Sequence, residues 1–368
     1  MGHEKTITRK EIGGCNPSDK IMTKIPEPIH TITNLIDQYH ESKPDEPRLH
    51  LGASSLGHHC ERWVWLSFRW AVREKISGRI RRLFRRGQNE EATVVADLKA
   101  IGIDVRNTGN DQKIIDFGSH IGGSMDGIIE SGVIGALKTR HVLEIKTHNK
   151  KSFDDLEKNG VQNSKPVHWA QMQLYMLGAK IERALYIAVC KDDDRIYTER
   201  VPYDKEAAKN LLAKGQRLAT TERIPPPLST DPSWYQCKFC AAHSFCHREK
   251  LTREVNCRTC AHATPEKDST WSCARFDAKN IPGDFQKKGC ESHVLHPDLV
   301  PWDIKDSTNP HEAVYVIDGK NIRNGEGDEF VFTSKELIAG QDLCANENVQ
   351  LLRQTFDATI EDSHDRIA

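Results

Sequence analysis

Asp126, then Glu144-Ile145-Lys146, then Gln171 and Tyr175 form an ordered polar set in a stretch that otherwise reads as strand and helix. In His141-Val142-Leu143-Glu144-Ile145-Lys146-Thr147, strand alternation places Val142, Glu144 and Lys146 on one face and Leu143 and Ile145 on the other. A carboxylate and an ammonium then point the same way. Burying both is costly unless a metal, a paired charge or a bound phosphate compensates, so an E-x-K on a strand is a candidate site. The plain alternative is a solvated ion pair on an edge strand. Asp126 shifts that balance, because it lies in the glycine-rich stretch Ser119 to Ile129, which turns near Ser131-Gly132 and returns as the Glu144 strand. Two carboxylates and a backbone carbonyl suit Mg²⁺ or Mn²⁺, which prefer hard oxygen ligands and keep waters for chemistry.

These residues need a helix behind them. Val167 to Gly178 supplies one, with Trp169, Met172 and Met176 at helical spacing and Gly178 as its stop. Gln171 and Tyr175 are four residues apart and share a face of it. Taken alone they are the half-buried polar edge of an amphipathic helix.

As an ordered set, Asp126, Glu144 with Lys146, and Gln171 with Tyr175 resemble the motifs of the PD-(D/E)XK nuclease superfamily, specifically its RecB-like branch. The resemblance covers roughly residues 50 to 250 and rests on motif order and element type. It implies a leading acid on a glycine-led helix, here Gly87 to Glu91, with Glu90 as the competing position. Met125 stands where the family name has proline, and Glu91 where RecB-like members often carry His. The implied mechanism is metal-assisted hydrolysis. Asp126, Glu144 and the Ile145 carbonyl hold Mg²⁺ or Mn²⁺ with help from Glu91, Lys146 orients or deprotonates the attacking water, and Gln171 and Tyr175 position the strand or the water.

The cysteines form two groups. Cys237, Cys240 and Cys246 sit just after the nuclease-like region, and Cys60 lies far upstream. This arrangement is similar to the iron-sulfur nucleases of CRISPR adaptation and the AddB-type helicase-nucleases, which implies a 4Fe-4S cluster clasping the two ends of the fold. A four-cysteine Zn²⁺ site uses the same ligands. Closing so long a loop removes much unfolded-state entropy. The second group, Cys257, Cys260, Cys273 and Cys290, reads as a small structural zinc module with His262 and His293 as possible substitutes. Scattered reduced cysteines are the alternative. Of the remaining three, Cys190 ends an apolar strand and belongs to the core, while Cys15 and Cys344 lie in polar surroundings. A disulfide framework is not expected in a chain of 368 residues without a hydrophobic leader.

A net charge of -1 with a pI near 7.0 does not mark a nucleic-acid binder, so the distribution of charge carries that argument. Between Arg69 and Arg86 eight cations (Arg69, Arg73, Lys75, Arg79, Arg81, Arg82, Arg85, Arg86) face Glu74 alone. With residues 80–100 helical, Arg79, Arg82 and Arg86 share one side as a phosphate-holding stripe, while Leu83, Phe84 and Val94 or Val95 pack inward. Such a run is otherwise a solvated helix face. Trp63, Trp65, Phe68 and Trp70 are core candidates, one of which can stack on an unpaired base.

The expected fold is α/β, a restriction-endonuclease-like mixed sheet flanked by helices, with appendages. Residues 1–50 form an N-terminal arm whose helix 31–40 docks through Ile32, Leu35, Ile36 and Tyr39; 51–250 form the nuclease core closed by the first cysteine group. Residues 251–300 are the zinc module, and 301–368 a small α/β appendage with a hairpin through Ala313 to Asp318 and Glu329 to Thr333. Within the core, strands are expected near 113–117, 120–130, 141–147, 183–190 and 195–201, and helices near 80–100, 165–178 and 204–221. The longest apolar runs are strand-length, so no membrane partner is expected and the setting is the cytoplasm of a bacterial or phage-infected cell. The functional expectation is a DNA nuclease, an exonuclease acting on single strands or duplex ends in recombination, repair or phage replication, beside a recombinase, helicase or single-strand-binding partner. The alternative is a non-catalytic nucleic-acid-binding or scaffolding protein stabilised by its metal-cysteine sites.

Overall fold

The computed structural model of the chain describes residues 31–327, 330–356 and 358–361. The first half runs α1 (Ile32–Glu41), β1 (Leu51–Gly52), α2 (Ala53–Leu56), α3 (Glu61–Phe68), α4 (Gly78–Ala100), β2 (Asp104–Arg106), β3 (Ile114–Gly118), β4 (Ile121–Ser124), β5 (Gly127–Ser131) and β6 (His141–His148). Then follow α5 (Lys150–Ser164), α6 (Pro166–Ala179), β7 (Arg183–Cys190), β8 (Ile196–Pro202), α7 (Lys205–Thr220) and α8 (Tyr235–Lys238). The last third contains β9 (Ala263–Pro265), β10 (Trp271–Cys273), α9 (Gly283–Lys288), β11 (Asp303–Lys305), β12 (Glu312–Ile317), β13 (Lys320–Gly325), β14 (Val331–Phe332), α10 (Ser334–Ala339), α11 (Gln341–Cys344) and α12 (Glu347–Phe356).

The central sheet has the order β2-β5-β6-β7-β8, antiparallel except for the parallel β6–β7 pair. That single parallel pair requires a crossover, which α5 and α6 provide. Both faces of β6 are covered, which is why its apolar residues do not alternate with solvated ones. On one face Val142, Ala184 and Tyr186 pack against Phe153, Leu156 and Met172 of α5 and α6. On the other, Leu143, Ile145 and Ile187 pack against Val94, Val95 and Leu98 of α4. The result is a mixed sheet flanked by helices. A smaller sheet, β1-β4-β3, carries the glycine-rich stretch. The β11-β12-β13-β14 sheet has its own apolar cluster around Tyr315, Ile322, Phe332 and Leu337.

Several sequence expectations change. The 120–130 strand breaks at Met125-Asp126, so β4 and β5 belong to different sheets. The α6 helix does not stop at Gly178 but at Lys180, which takes the left-handed conformation at φ 55°. Gly178 instead admits close packing, since a Cβ there would lie 2.5 Å from Ile115 Cγ2. The C-terminal hairpin pairs β12 with β13 through a turn at Asp318-Gly319, both at positive φ, as a two-residue hairpin loop demands. Val331–Phe332 adds to β13 in parallel, and Glu329 lies outside the described residues. Helix α5 is an element the sequence did not announce. Cys344 is buried in the C-terminal core, not in polar surroundings; Cys15 lies outside the described residues, as do the first thirty residues of the arm.

Candidate active site

The site is assembled where the two sheets part. Asp126 follows β4 and precedes β5, and its Oδ2 accepts the Ile145 N–H at 2.8 Å, which fixes the carboxylate beside the β6 strand. Glu144 is 0% exposed, and its carboxylate forms an ion pair with Lys146. Lys146 Nζ also lies 3.7 Å from Asp126 Oδ2 and donates to the Ile145 carbonyl at 3.2 Å. From α6, Gln171 Nε2 donates to Glu144 Oε2 at 3.3 Å and to the Tyr175 hydroxyl at 3.4 Å. Gln171 and Tyr175 are therefore buried and bonded into the site, not the half-wet edge their spacing alone suggests. Gly123 makes this approach feasible: a Cβ there would fall 2.8 Å from the Tyr175 hydroxyl.

Glu91 reaches the same place from α4. It lines a cavity of about 780 Å³ together with Asp126, Lys146, Gln171 and Tyr175. Its neighbour Glu90 does not line it. Burial, followed by the Asp126 carboxylate, pushes the Glu91 carboxyl up to about 7, against the opposing pull of Lys146. Burial likewise pushes Glu144 up to about 8; Lys146 opposes this, while Asp126 and Glu91 add to it. Lys146 moves the other way from a desolvated amine: burial lowers it, but Glu144 and Asp126 together outweigh burial and hold it above its ordinary range. The lysine is therefore the charged partner, and the carboxyls carry the strain of sharing it.

The donor set matches a hard divalent cation. Three carboxyl groups share one ammonium, which drives Glu91 and Glu144 towards their protonated forms, and the buried Glu144 Oε1 has no hydrogen-bond partner beyond its approach to Lys146. Neither condition is comfortable in a low-dielectric site. The side chain of Lys146 keeps 26% of its surface accessible while Glu144 has none, so Lys146 is the member of the pair that faces the cavity. Among the described residues the carboxylates are not already drawn to ion-holding geometry.

Behind the site lies a polar chain the sequence did not signal. Tyr186 stands opposite Glu144 in the β6–β7 register, and its hydroxyl bonds both His148 Nε2 and His168 Nδ1 at 2.9 Å. Burial drives both imidazoles well below their usual range. A second missed residue is Arg48, which lines the cavity mouth with His50.

The arginine stripe is placed differently from its expectation. Arg82 pairs with Asp37 of α1, and Arg86 Nη2 donates to the Lys191 carbonyl at 2.9 Å. Arg79 is exposed, and none of the three lines the cavity. Leu83 and Phe84 are exposed because that end of α4 packs against α1, not the sheet. The apolar residues of α1 do not dock either; Ile32 is 78% exposed, while His40 is buried. Arg69 belongs to no surface at all. It is buried, stacked 4.6 Å from Trp65, and desolvation pulls its guanidinium down to about 10. Trp65, Phe68 and Trp70 are core, with Trp63 packed against it.

Cys60, Cys237, Cys240 and Cys246 surround one small cavity of about 20 Å³. Burial raises the Cys240 and Cys246 thiols, and their fellow cysteines raise them further. In the second group, burial and then Cys260, Cys290 and Cys273 push Cys257 up to about 12. Cys260 Sγ accepts the His262 and Val294 N–H groups at 3.5 Å each, but burial outweighs them and pushes its thiol up to about 11. His293 is committed elsewhere, bonding Ser334 Oγ at 2.8 Å and Thr259 Oγ1 at 3.1 Å, so it is no substitute ligand. Both sets of thiols converge without meeting ion-holding geometry among the described residues. Within the second group Arg258, between Cys257 and Cys260, is buried 3.7 Å over the Trp70 ring and donates to the Phe68 and Leu49 carbonyls at 2.9 and 2.7 Å.

No family model matches the chain, and no curated protein does. Among solved structures the chain is similar to SSO0001, at 16% identity over 59% of this chain and 97% of that one, with a TM-score of 0.36. It is similar also to an alkaline exonuclease, LHK-Exo, from Laribacter hongkongensis, at 19% identity over 47% and 87%, TM-score 0.33. The same enzyme in complex with dAMP gives 18% identity over 46% and 86%, TM-score 0.31. Likenesses at that level carry no argument about this chain, whose fold is described by its own sheet order and packing.

Proposed function

We propose that the chain is a metal-dependent DNA nuclease of restriction-endonuclease-like fold, an exonuclease acting on single strands or duplex ends. The observation that carries this is the convergence of Glu91, Asp126 and Lys146 on one cavity, with Glu144 buried behind Lys146 and Gln171 and Tyr175 bonded into the same set. A pure binding surface has no use for carboxylates buried where a phosphodiester is meant to enter, since they repel it.

Mg²⁺ or Mn²⁺ would be held by Asp126, Glu144 and the Ile145 carbonyl with Glu91, supplying Lewis acidity and a water of lowered pKa. Every other task falls to the chain. Lys146, held protonated by its carboxylate neighbours, orients the attacking water and offers positive charge to the phosphate. Tyr175 and Gln171 hold the Glu144 carboxylate and the cavity wall in register. The cavity, at about 780 Å³, has room for a nucleotide end and its waters.

The four thiols at Cys60, Cys237, Cys240 and Cys246 are proposed to hold a 4Fe-4S cluster, with Zn²⁺ as the alternative; Cys257, Cys260, Cys273 and Cys290 are proposed to hold Zn²⁺. Arg79, Arg82 and Arg86 are proposed to meet DNA outside the cavity. The setting proposed is recombination, repair or phage replication in the cytoplasm; among the described residues no helix is long and apolar enough to cross a membrane.

The test is Mn²⁺-dependent cleavage of end-labelled single- and double-stranded DNA by anaerobically purified protein of measured iron and zinc content. Asp126→Ala and Lys146→Ala are expected to abolish cleavage while preserving fold and DNA binding. Unchanged activity in either variant removes the assignment.

A further inference from the structure

The aromatics that sequence offered for base stacking are buried, yet other rings are exposed. Trp234, Tyr235 and Phe239 are 43%, 66% and 86% exposed within six residues. They flank Cys237, which is buried, so the same short segment turns its thiol inward and its rings outward. The segment is rigidly held. Cys237 N–H donates to the Trp234 carbonyl at 2.8 Å, Cys240 N–H to the Cys237 carbonyl at 2.9 Å, and His243 Nε2 lies 3.1 Å from the Pro232 carbonyl. Trp234 and Tyr235 sit with ring centroids 5.1 Å apart, and the Lys238 ammonium lies 5.5 Å from the Phe239 centroid.

Along residues 231–250 three cations stand against two carboxylates, and one of the cations, Lys238, lies over a ring. Of the nearby carboxylates, Asp231 is taken by the Ser233 N–H and hydroxyl at 2.8 and 2.7 Å, and Glu249 by Arg253 at 3.1 Å. Lys238, Arg248 and Lys250 are the cations of this stretch, and the His243 and His247 rings lie tilted to each other with centroids 5.0 Å apart. Large rings left in water are unfavourable for an isolated chain, and bases find π-faces attractive whatever their sequence. Backbone phosphates complement the surrounding cations.

We propose that Trp234, Tyr235 and Phe239 form a stacking platform for unpaired nucleotides, with Lys238, Arg248 and Lys250 meeting the phosphates. This deepens the nuclease reading and rests on it. The platform is joined to the catalytic cavity by the stretch from Ala53 to Cys60, because Ala53 and Ser54 line that cavity and Cys60 faces the platform's own thiols. It holds a single strand while its end enters the site.

The experiment uses the full chain and a fluorescein-labelled oligothymidylate, with binding read by anisotropy in EDTA and cleavage read separately in Mn²⁺. Tyr235→Ala/Phe239→Ala is expected to weaken binding on the order of tenfold or more per ring, with far-UV circular dichroism and metal content unchanged. Tyr235→Phe, which keeps the ring, is expected to bind as the parent does. Hydrolysis of bis(p-nitrophenyl) phosphate, too small to touch the platform, is expected to be unaffected in all variants. If the double variant binds the oligonucleotide as tightly as the parent, the platform is refuted while the nuclease stands. If the parent binds through these rings but never cleaves, the platform stands and the nuclease reading falls; if it neither binds nor cleaves, both fall.

Discussion

Replacing Lys146 by methionine, which keeps the length and apolar body of the side chain and removes only the charge, tests the electrostatics of the site directly. Glu144 is 0% exposed and its carboxyl sits at about 8, raised first by burial and restrained by Lys146. A carboxyl raised in the folded state contributes stability that is complete below its unfolded value and is lost as pH rises through its folded value. Without Lys146 the folded value rises further. At about pH 6 Glu144 is protonated in both proteins, so the variant forgoes chiefly the pairing of Lys146 with Asp126 and its loss is smallest there. Above pH ~8 the parent ionises Glu144 against Lys146 and the variant cannot, so the gap should widen by up to ~1.4 kcal/mol per pH unit, towards the ~3–5 kcal/mol of a broken buried pair. Urea melts in EDTA across that range measure it. A stability loss as large at pH 6 as at pH 9 would falsify the protonated Glu144, and with it the claim that this cluster is short of positive charge.

Because Glu91 sits at about 7 and Glu144 at about 8, both must shed protons to meet a cation, so Mn²⁺ affinity should climb steeply between about pH 6 and pH 8, at up to tenfold per unit for each coupled proton. Calorimetry showing a flat profile would sink that assignment. Arg258→Ala removes a buried guanidinium and strands the Phe68 and Leu49 carbonyls, so it should cost ~3–5 kcal/mol in urea melts; a loss under ~1 kcal/mol would mean the second cysteine segment is not anchored through this residue. Cys60→Ser should lower both the metal content and the melting point, since a closure spanning so long a loop stabilises by as much as ~5 kcal/mol. Full metal content in that variant would remove Cys60 from the clasp.

Much of the candidate set could be picked out because each part has a local signature. Strand alternation put Glu144 and Lys146 on one face, helical spacing paired Gln171 with Tyr175, and the glycine-rich stretch returning as the Glu144 strand pointed to Asp126. Helix α5 was not legible, since Lys150 to Ser164 is mostly polar and Gly160 within it sits at φ 71°. Its start was readable in hindsight from Asn149, whose side chain accepts the Ser152 N–H at 2.9 Å. The turn at Asp318-Gly319 carried a strong hairpin signal that was passed over.

What the sequence alone determined, then, is the order of chemistry along the chain and the elements that carry it, because period and capping act over a few residues. What only the tertiary structure decided is which member of each ambiguous pair faces which environment. Glu90 and Glu91 differ by one helical step, and the docking of α4 through Val94, Val95 and Leu98 selected Glu91. Trp65 and Tyr235 both lie within a few residues of a cysteine, Cys60 and Cys237, and packing sent one into the core and left the other in water. Local composition cannot make those choices, because the free energy that makes them comes from contacts between segments far apart in the chain.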